Sequence, residues 1–333
     1  VVSAKVDISS GVPQGSVLGP TLFLIFINSV LTKNYAYSCQ PSIFAYADDL
    51  FILASLKTSM DLHSLNSTTS DVVSHLNDYL LLSVNPAKSN YIVFSNPRSK
   101  VKVPDFSTCI ISGILVLSSD SIVYLGVIFD PHLDFYLHYA NKISLIKRHV
   151  ASAIRIFRSY IDFESRLIIY KTLLRCHLLY SIESIYPRQV CHRILIDRCQ
   201  KNILRFITNN YDHDVSYASL LDRCRLLPIS VLAGAYRLIY LYKVVILHRF
   251  SYPGLIVPSN KSTHVSASRH SHQLFYSSKS SVFYHNSPHV STIKAFNSLG
   301  RTIYSTYNDF RNTVLNTQFI KTLSNRSDID SFF

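Results

Sequence analysis

"SIFAYADDLFILA", residues 42–54, sets two apolar runs, 43–46 and 50–53, on either side of adjacent carboxylates, Asp48 and Asp49. Short aromatic and β-branched runs about a polar interruption predict a β-hairpin. If its strands are buried, one ionised carboxylate without a partner is costly, and two side by side also repel each other. A cation relieves both penalties. Neighbouring residues on a straight strand face opposite ways, so both carboxylates reach one centre only at a bend, with Asp48 the expected principal ligand. Hard oxygen donors with open coordination positions suit Mg²⁺ shared with substrate phosphates. The competing reading is an ordinary aspartate-containing turn.

Upstream, "SSGVPQGSVLGPTLFLIF", residues 9–26, places glycines and a proline ahead of a long apolar run. Gly11 and Gly15 permit close backbone approach, Gln14 offers both a donor and an acceptor, and a loop feeding a helix N-terminus suits a phosphate neighbour. Taken alone, the segment is equally a turn and helix cap.

Together the two segments resemble the reverse transcriptases of non-long-terminal-repeat, LINE-type retrotransposons, particularly the jockey-like group. "GVPQGSVLGP" is similar to that family's motif B and "FAYADD" to its motif C. "NPAKSNYIVF", residues 85–94, resembles motif D, which makes Lys88 its lysine. "YLGVIFDPHLDFYLHYANKI", residues 124–143, resembles the primer-grip segment and the entry to the thumb, and weaker similarity continues through "CQKNILRFI" to "FYHNSPHVSTIKAFNSLG".

The resemblance implies an α+β fold: an incomplete right-hand polymerase palm over 1–136, an all-helical thumb over 137–208 and a helical extension over 209–333. It further implies RNA-directed DNA polymerisation with Mg²⁺ at Asp48 and Asp49. The primer hydroxyl then attacks the α-phosphate of a deoxynucleotide triphosphate, one metal activating it while a second stabilises the leaving group. Gln14, Gly15 and Tyr46 fall on the nucleotide and template side. Lys88 would assist pyrophosphate departure, its alternative being a solvated surface lysine. The partners implied are an RNA template and a DNA primer, in an intracellular ribonucleoprotein, nuclear or cytoplasmic.

Some family features are missing. Motif A, with the family's other catalytic aspartate, should precede motif B, yet Asp7 is the only acid before Gly11. The chain begins at Val1, which suggests a fragment, and without motif A it is expected not to polymerise alone; the alternative is a non-catalytic nucleic-acid-binding remnant or a host-adopted protein. There is no tryptophan; Tyr79 and Phe135 stand as aromatic substitutes. Tyr180-Ser181 occupies a place where Tyr-Gly is usual, so a different local turn is expected.

Charge supports a polyanionic partner. The 333 residues carry 33 Lys and Arg against 20 Asp and Glu, net +13, which favours nucleic acid. Residues 1–141 are net −3, residues 142–205 net +9 and residues 206–333 net +7. On a helical wheel of 137–160, Lys147, Arg148, Arg155 and Arg158 share one face, with Val150, Ala153, Ile154 and Phe157 opposite. A cationic stripe opposite an apolar one suits a helix docked on the protein and facing a phosphate backbone.

Other classes are set aside. Hydrophobic content of 48% excludes wholesale disorder. The six cysteines lack a C-x-x-C pair and read as reduced thiols, with the four in helical-looking segments expected to be buried, so no zinc site is expected. No membrane partner is expected either, since 226–247 carries Pro228, Arg237 and Lys243 and reads as a buried helix. The histidine-bearing segment 251–290 reads as a flexible loop. Further helices are expected at 60–84, 163–179, 190–207, 217–221, 229–247, 291–299 and 308–323, with strands at 91–94, 109–117 and 121–129.

Overall fold

A computed structural model describes residues 11–12, 14–33, 35, 41–56, 58–95, 109–111, 114–157, 161–245, 257–258, 274–275, 288–298 and 306–316. They form two compact units. The first runs to Tyr124 and includes Phe129–Leu133; the second holds Leu125–Ile128 and everything from Asp134 onward.

In the first unit, α1 (Gly19–Thr32) starts where Ser16 Oγ accepts the Gly19 N–H at 3.0 Å, with Pro20 in the first turn. Proline is tolerated there because its missing N–H would have no helical partner anyway. Strands β1 (Ser42–Tyr46) and β2 (Asp49–Leu53) pair antiparallel, from Ser42 opposite Leu53 to Tyr46 opposite Asp49. Helix α2 (Ser59–Ser74) opens with a reciprocal cap: Thr58 N–H donates to Asp61 Oδ2 at 2.8 Å, and Asp61 N–H to Thr58 Oγ1 at 3.3 Å. It widens into a π-turn at His75–Tyr79.

Strand alternation puts Ile43, Leu50 and Ile52 where they pack on Ile27 and Val30 of α1 and on Val72, Leu76 and Leu80 of the α2 segment. This apolar cluster fixes α1 against the β1–β2 hairpin. Two further hairpins follow: β3 (Cys109–Ile111) with β4 (Ile114–Val116), and β5 (Ile122–Tyr124) with β6 (Val127–Phe129). Leu125 at φ 47° and Gly126 at φ 75° supply the two left-handed residues of a tight turn in the β5–β6 hairpin. The expected strand at 91–94 reduces to a single parallel bridge between Tyr91 and Ser118.

The second unit is mainly helical. It contains α3 (Tyr136–Phe157), α4 (Phe163–Ile169), α5 (Arg175–Leu179), α6 (Ile182–Ile185), α7 (Val190–Thr208), α8 (Tyr217–Cys224) and α9 (Ile229–Val245). A π-turn at Tyr170–Leu174 joins α4 to α5, so the single helix expected over 163–179 is one rod with a widened middle turn. Strands β7 (Val257–Pro258) and β8 (Leu274–Phe275) pair, so the segment expected as loop contains a short hairpin. Helices α10 (Pro288–Ser298) and α11 (Tyr307–Val314) pack Ala295, Phe310 and Val314 on Ala235, Leu238, Ile239 and Tyr242 of α9. The expected helical residues 317–323 lie outside the described residues. Among the described residues no single helix is long and apolar enough to cross a membrane; α8 and α9 pass that test only as a pair bent by 57°.

Gln200 organises this unit. Fully buried on α7, its amide donates to Leu227 O at 2.9 Å and Tyr170 Oη at 3.3 Å. Its carbonyl accepts from Tyr217 Oη at 2.5 Å and Ile229 N–H at 3.0 Å. Four elements are thereby tied to one side chain, with its bonding capacity filled.

Candidate functional site

The β1–β2 register decides where the two carboxylates lie. Because Tyr46 pairs with Asp49, the two-residue turn is Ala47–Asp48, with Ala47 left-handed at φ 51°. The bend predicted at Asp48-Asp49 is therefore shifted by one residue: Asp48 sits in the turn and Asp49 opens β2. By alternation Asp49 shares the outer face of the hairpin with Phe44, Tyr46, Phe51 and Leu53, opposite the face packed on α1 and α2.

That outer face is open. Phe44 is 50% and Tyr46 63% exposed, and both carboxylates are exposed. The expectation that buried strands force these acids to recruit a cation is thus corrected: helices cover one face of this two-stranded hairpin, and water reaches the other. What remains is chemistry of type and placement, two hard oxygen donors at one hairpin end beside an aromatic floor. The Phe51 and Tyr124 rings stack at 5.0 Å. Burial, then the negative charge of Asp49, push the Tyr124 phenol above its ordinary range. Tyr124 is a site neighbour that sequence reasoning placed only in the primer-grip segment, since 75 residues separate it from Asp49.

The other predicted residues scatter. Gly11 and Gly15 have φ of 86° and 81°, a region that favours glycine, so the turns ahead of α1 depend on them. Gln14 is exposed beside Gly15. Lys88 is exposed at the end of the 3₁₀ turn Pro86–Lys88, which Asn85 caps by accepting the Ala87 N–H at 3.0 Å. Among the described residues no contact brings Lys88 to Asp48 or Asp49, and no group of three or more His, Cys, Asp or Glu side chains converges as a metal cage. Two carboxylates with open positions still fit a cation that completes its shell with phosphate oxygens and water.

In the second unit, Lys147, Arg148 and Arg155 are all exposed on α3, while Ile146 and Ala153 are buried. Arg158 lies outside the described residues. Ile154, expected on the covered side, is 42% exposed. It stands at an apolar groove with Ile146 and Val150 of α3 and Cys199 and Ile203 of α7. Burial pushes the Cys199 thiol up to about 11, the behaviour of an inert core thiol. Behind the helix start, Tyr180 Oη donates to Leu125 O at 2.5 Å, and Lys142 Nζ lies 5.9 Å from the Tyr180 ring centroid.

Comparison with known proteins bears on these residues. Residues 3–129 match the family described as "Reverse transcriptase (RNA-dependent DNA polymerase)". The chain is 26% identical over 181 residues to the RNA-directed DNA polymerase from mobile element jockey of Drosophila funebris, covering 53% of this chain and 19% of that protein. It is 24% identical over 212 residues to the probable RNA-directed DNA polymerase from transposon X-element of Drosophila melanogaster, covering 62% and 22%. A third relative, the probable RNA-directed DNA polymerase from transposon BS of Drosophila melanogaster, is 28% identical over 144 residues, covering 39% and 14%. The chain thus spans between about a seventh and a fifth of the length of these relatives. No solved structure matches it.

Proposed function

We propose, from the premise that residues 3–129 carry a reverse transcriptase domain homologous to those of non-long-terminal-repeat elements, that the chain is the later part of an RNA-directed DNA polymerase. The observation that carries this reading is the packing of α1, the helix that continues from the motif B segment, on the strands flanking the Asp48–Asp49 turn: Ile27 and Val30 pack with Ile43, Leu50 and Ile52. The apolar cluster seats the helix that follows the candidate nucleotide loop on the hairpin that carries the candidate metal ligands.

Asp48 and Asp49 would hold Mg²⁺, which when bound supplies Lewis-acid activation of a primer hydroxyl and neutralises charge on departing pyrophosphate. The residues of this chain do the positioning. The left-handed turns at Gly11 and Gly15 bring backbone toward the nucleotide and template, with Gln14 as amide contact. Tyr46 offers an exposed ring beside Asp49. Lys88 offers a cation for pyrophosphate if its 3₁₀ turn swings to the hairpin. The exposed cations of α3 contact template–primer phosphates without reading sequence. The setting is an intracellular ribonucleoprotein.

Two carboxylates alone hold the ion weakly, so the purified 333-residue chain is expected to bind template–primer but not extend it. Filter binding across a salt series checks the first half. Replacing Lys147, Arg148, Arg155 and Arg158 with glutamine should weaken binding and flatten log Kd against log[salt] by about 0.9 per lost phosphate contact. An unchanged slope excludes this face. Mg²⁺-dependent nucleotide incorporation by the isolated chain overturns the expected inactivity. A readout independent of activity is the Tyr124 phenol: Mg²⁺ at Asp49 should lower its pKa, and Asp49→Asn should abolish that response.

The second reading, a nucleic-acid-binding remnant without polymerase activity, is favoured by the openness of the Asp49 face. It predicts intact binding and no Mg²⁺ response at Tyr124.

A further inference from the structure

The groove between α3 and α7 is a surface that the reading above leaves unfilled. Ile146, Val150 and Ile154 follow one another at four-residue spacing on α3, and with Cys199 and Ile203 of α7 they form its floor. Ile146, Cys199 and Ile203 are buried at the base, whereas Ile154 stays open to water at one end. The cavity measures about 170 Å³, enough for a leucine-sized side chain. Its lining holds no aromatic ring; apart from Lys147, Asn202 and the Cys199 thiol it is aliphatic.

Cations stand on both edges. Lys147 lines the groove, and the row Lys147, Ala151, Arg155 continues at four-residue spacing along the α3 edge. On α7, Arg198 stands one turn before Asn202, which lines the opposite edge. Lys147, Arg155 and Arg198 are all exposed. The two helices supply little to offset them. Helix α3 contains neither Asp nor Glu, and the one acid of α7, Asp197, lies toward Arg193, Tyr186 and Tyr217. The groove is therefore apolar at its floor and positive along both edges.

We propose that the α3–α7 groove docks an acidic amphipathic helix of a partner protein, its apolar side chains on the floor and its carboxylates against Lys147, Arg155 and Arg198. Phosphates of a nucleic acid would answer the cations but leave the aliphatic floor unfilled, and the floor offers no ring on which a base could stack. A helix with apolar anchors at i, i+3 or i+4 and i+7 fills such a floor. Carboxylates on its flanks complement the edges, which sets orientation and speeds encounter. Lys147 and Arg155 also belong to the face assigned above to phosphates, so a seated helix and template–primer exclude one another. That consequence alone rests on the function proposed above.

The test uses the full 333-residue chain and a fluorescein-labelled synthetic helix with leucines at i, i+4 and i+7 and glutamates on both flanks. Its anisotropy should rise saturably with the chain. Replacing the leucines with alanine, or the glutamates with lysine, should weaken binding at least about tenfold. Ile154→Gln should weaken it about tenfold and Arg198→Gln about threefold. Both positions are exposed, so the circular dichroism spectrum should not change. Ile168→Gln, at an exposed position of α4, should leave binding as it is. No saturable binding, or equal binding by the parent chain and Ile154→Gln, overturns the groove. Equal binding of the lysine-flanked helix overturns the acidic chemistry. A single-stranded oligonucleotide that loses as much affinity in Ile154→Gln as the helix does would make the occupant a nucleic acid. Self-association of the parent chain in sedimentation, abolished in Ile154→Gln, would make it a second copy. Either result overturns the assignment to a partner helix.

Discussion

Ser181 holds a left-handed backbone without being glycine. Its φ is 54° and its ψ 22° at the start of α6, as Tyr180 reaches back to Leu125 O. Ser181→Gly should therefore raise stability by about 0.5–1 kcal/mol in urea unfolding by removing Cβ strain. His138 gives a pH dependence. Fully buried, it accepts the Ile128 N–H at Nδ1, 3.2 Å away, and burial, then Lys142, lower its pKa to about 4. The unfolded imidazole gains a proton near pH 6.5 and the folded one only near 4, so stability is full above pH 6.5 and falls as pH drops through that window. The loss is roughly 3 kcal/mol. Urea midpoints at pH 7, 5.5 and 4.5 should trace it, and His138→Gln, which keeps an acceptor, should flatten it. The sequence marks Tyr180-Ser181 as a turn but not its angles, and it carries no sign that His138 is buried. The shifted turn at Ala47 was equally hidden, because alanine carries no signal for a left-handed angle.

At the level of elements, helix periodicity was the legible part. The expected 190–207 became Val190–Thr208 and 163–179 became Phe163–Leu179, because buried apolar residues repeat at helical spacing. The π-turns were not legible, since a widened turn leaves the same apolar composition and alters only which atoms pair. Helix α1 differs from the rest in having a second apolar stripe: Leu22 is 48% and Ile25 69% exposed, on the side away from Ile27 and Val30. Such a face promotes self-association. Ile25→Lys should change stability within about 0.5 kcal/mol while reducing concentration-dependent light scattering. A fall of several kcal/mol would instead show that Ile25 is covered in solution.

Across the molecule, charge division was visible from composition, but the groups it brings together were not. Arg193 and Arg237, 44 residues apart, meet at the Tyr186 ring only because α7 and α9 pack. Gln200 carries no signal of its role in the sequence; its burial and four bonds emerge only with α7, α8 and α9 assembled. Gln200→Leu strands the Tyr217 hydroxyl, the Leu227 carbonyl and the Ile229 N–H, and should cost roughly 3–5 kcal/mol in chemical unfolding. Loss below 1 kcal/mol would mean water replaces the amide. The hub also has a temporal meaning. Its partners sit 17 to 30 residues away along the chain, so the loops it closes are short and their entropic penalty small. The helical unit should then form early and open last, with the Ile229 amide among its slowest to exchange with deuterium.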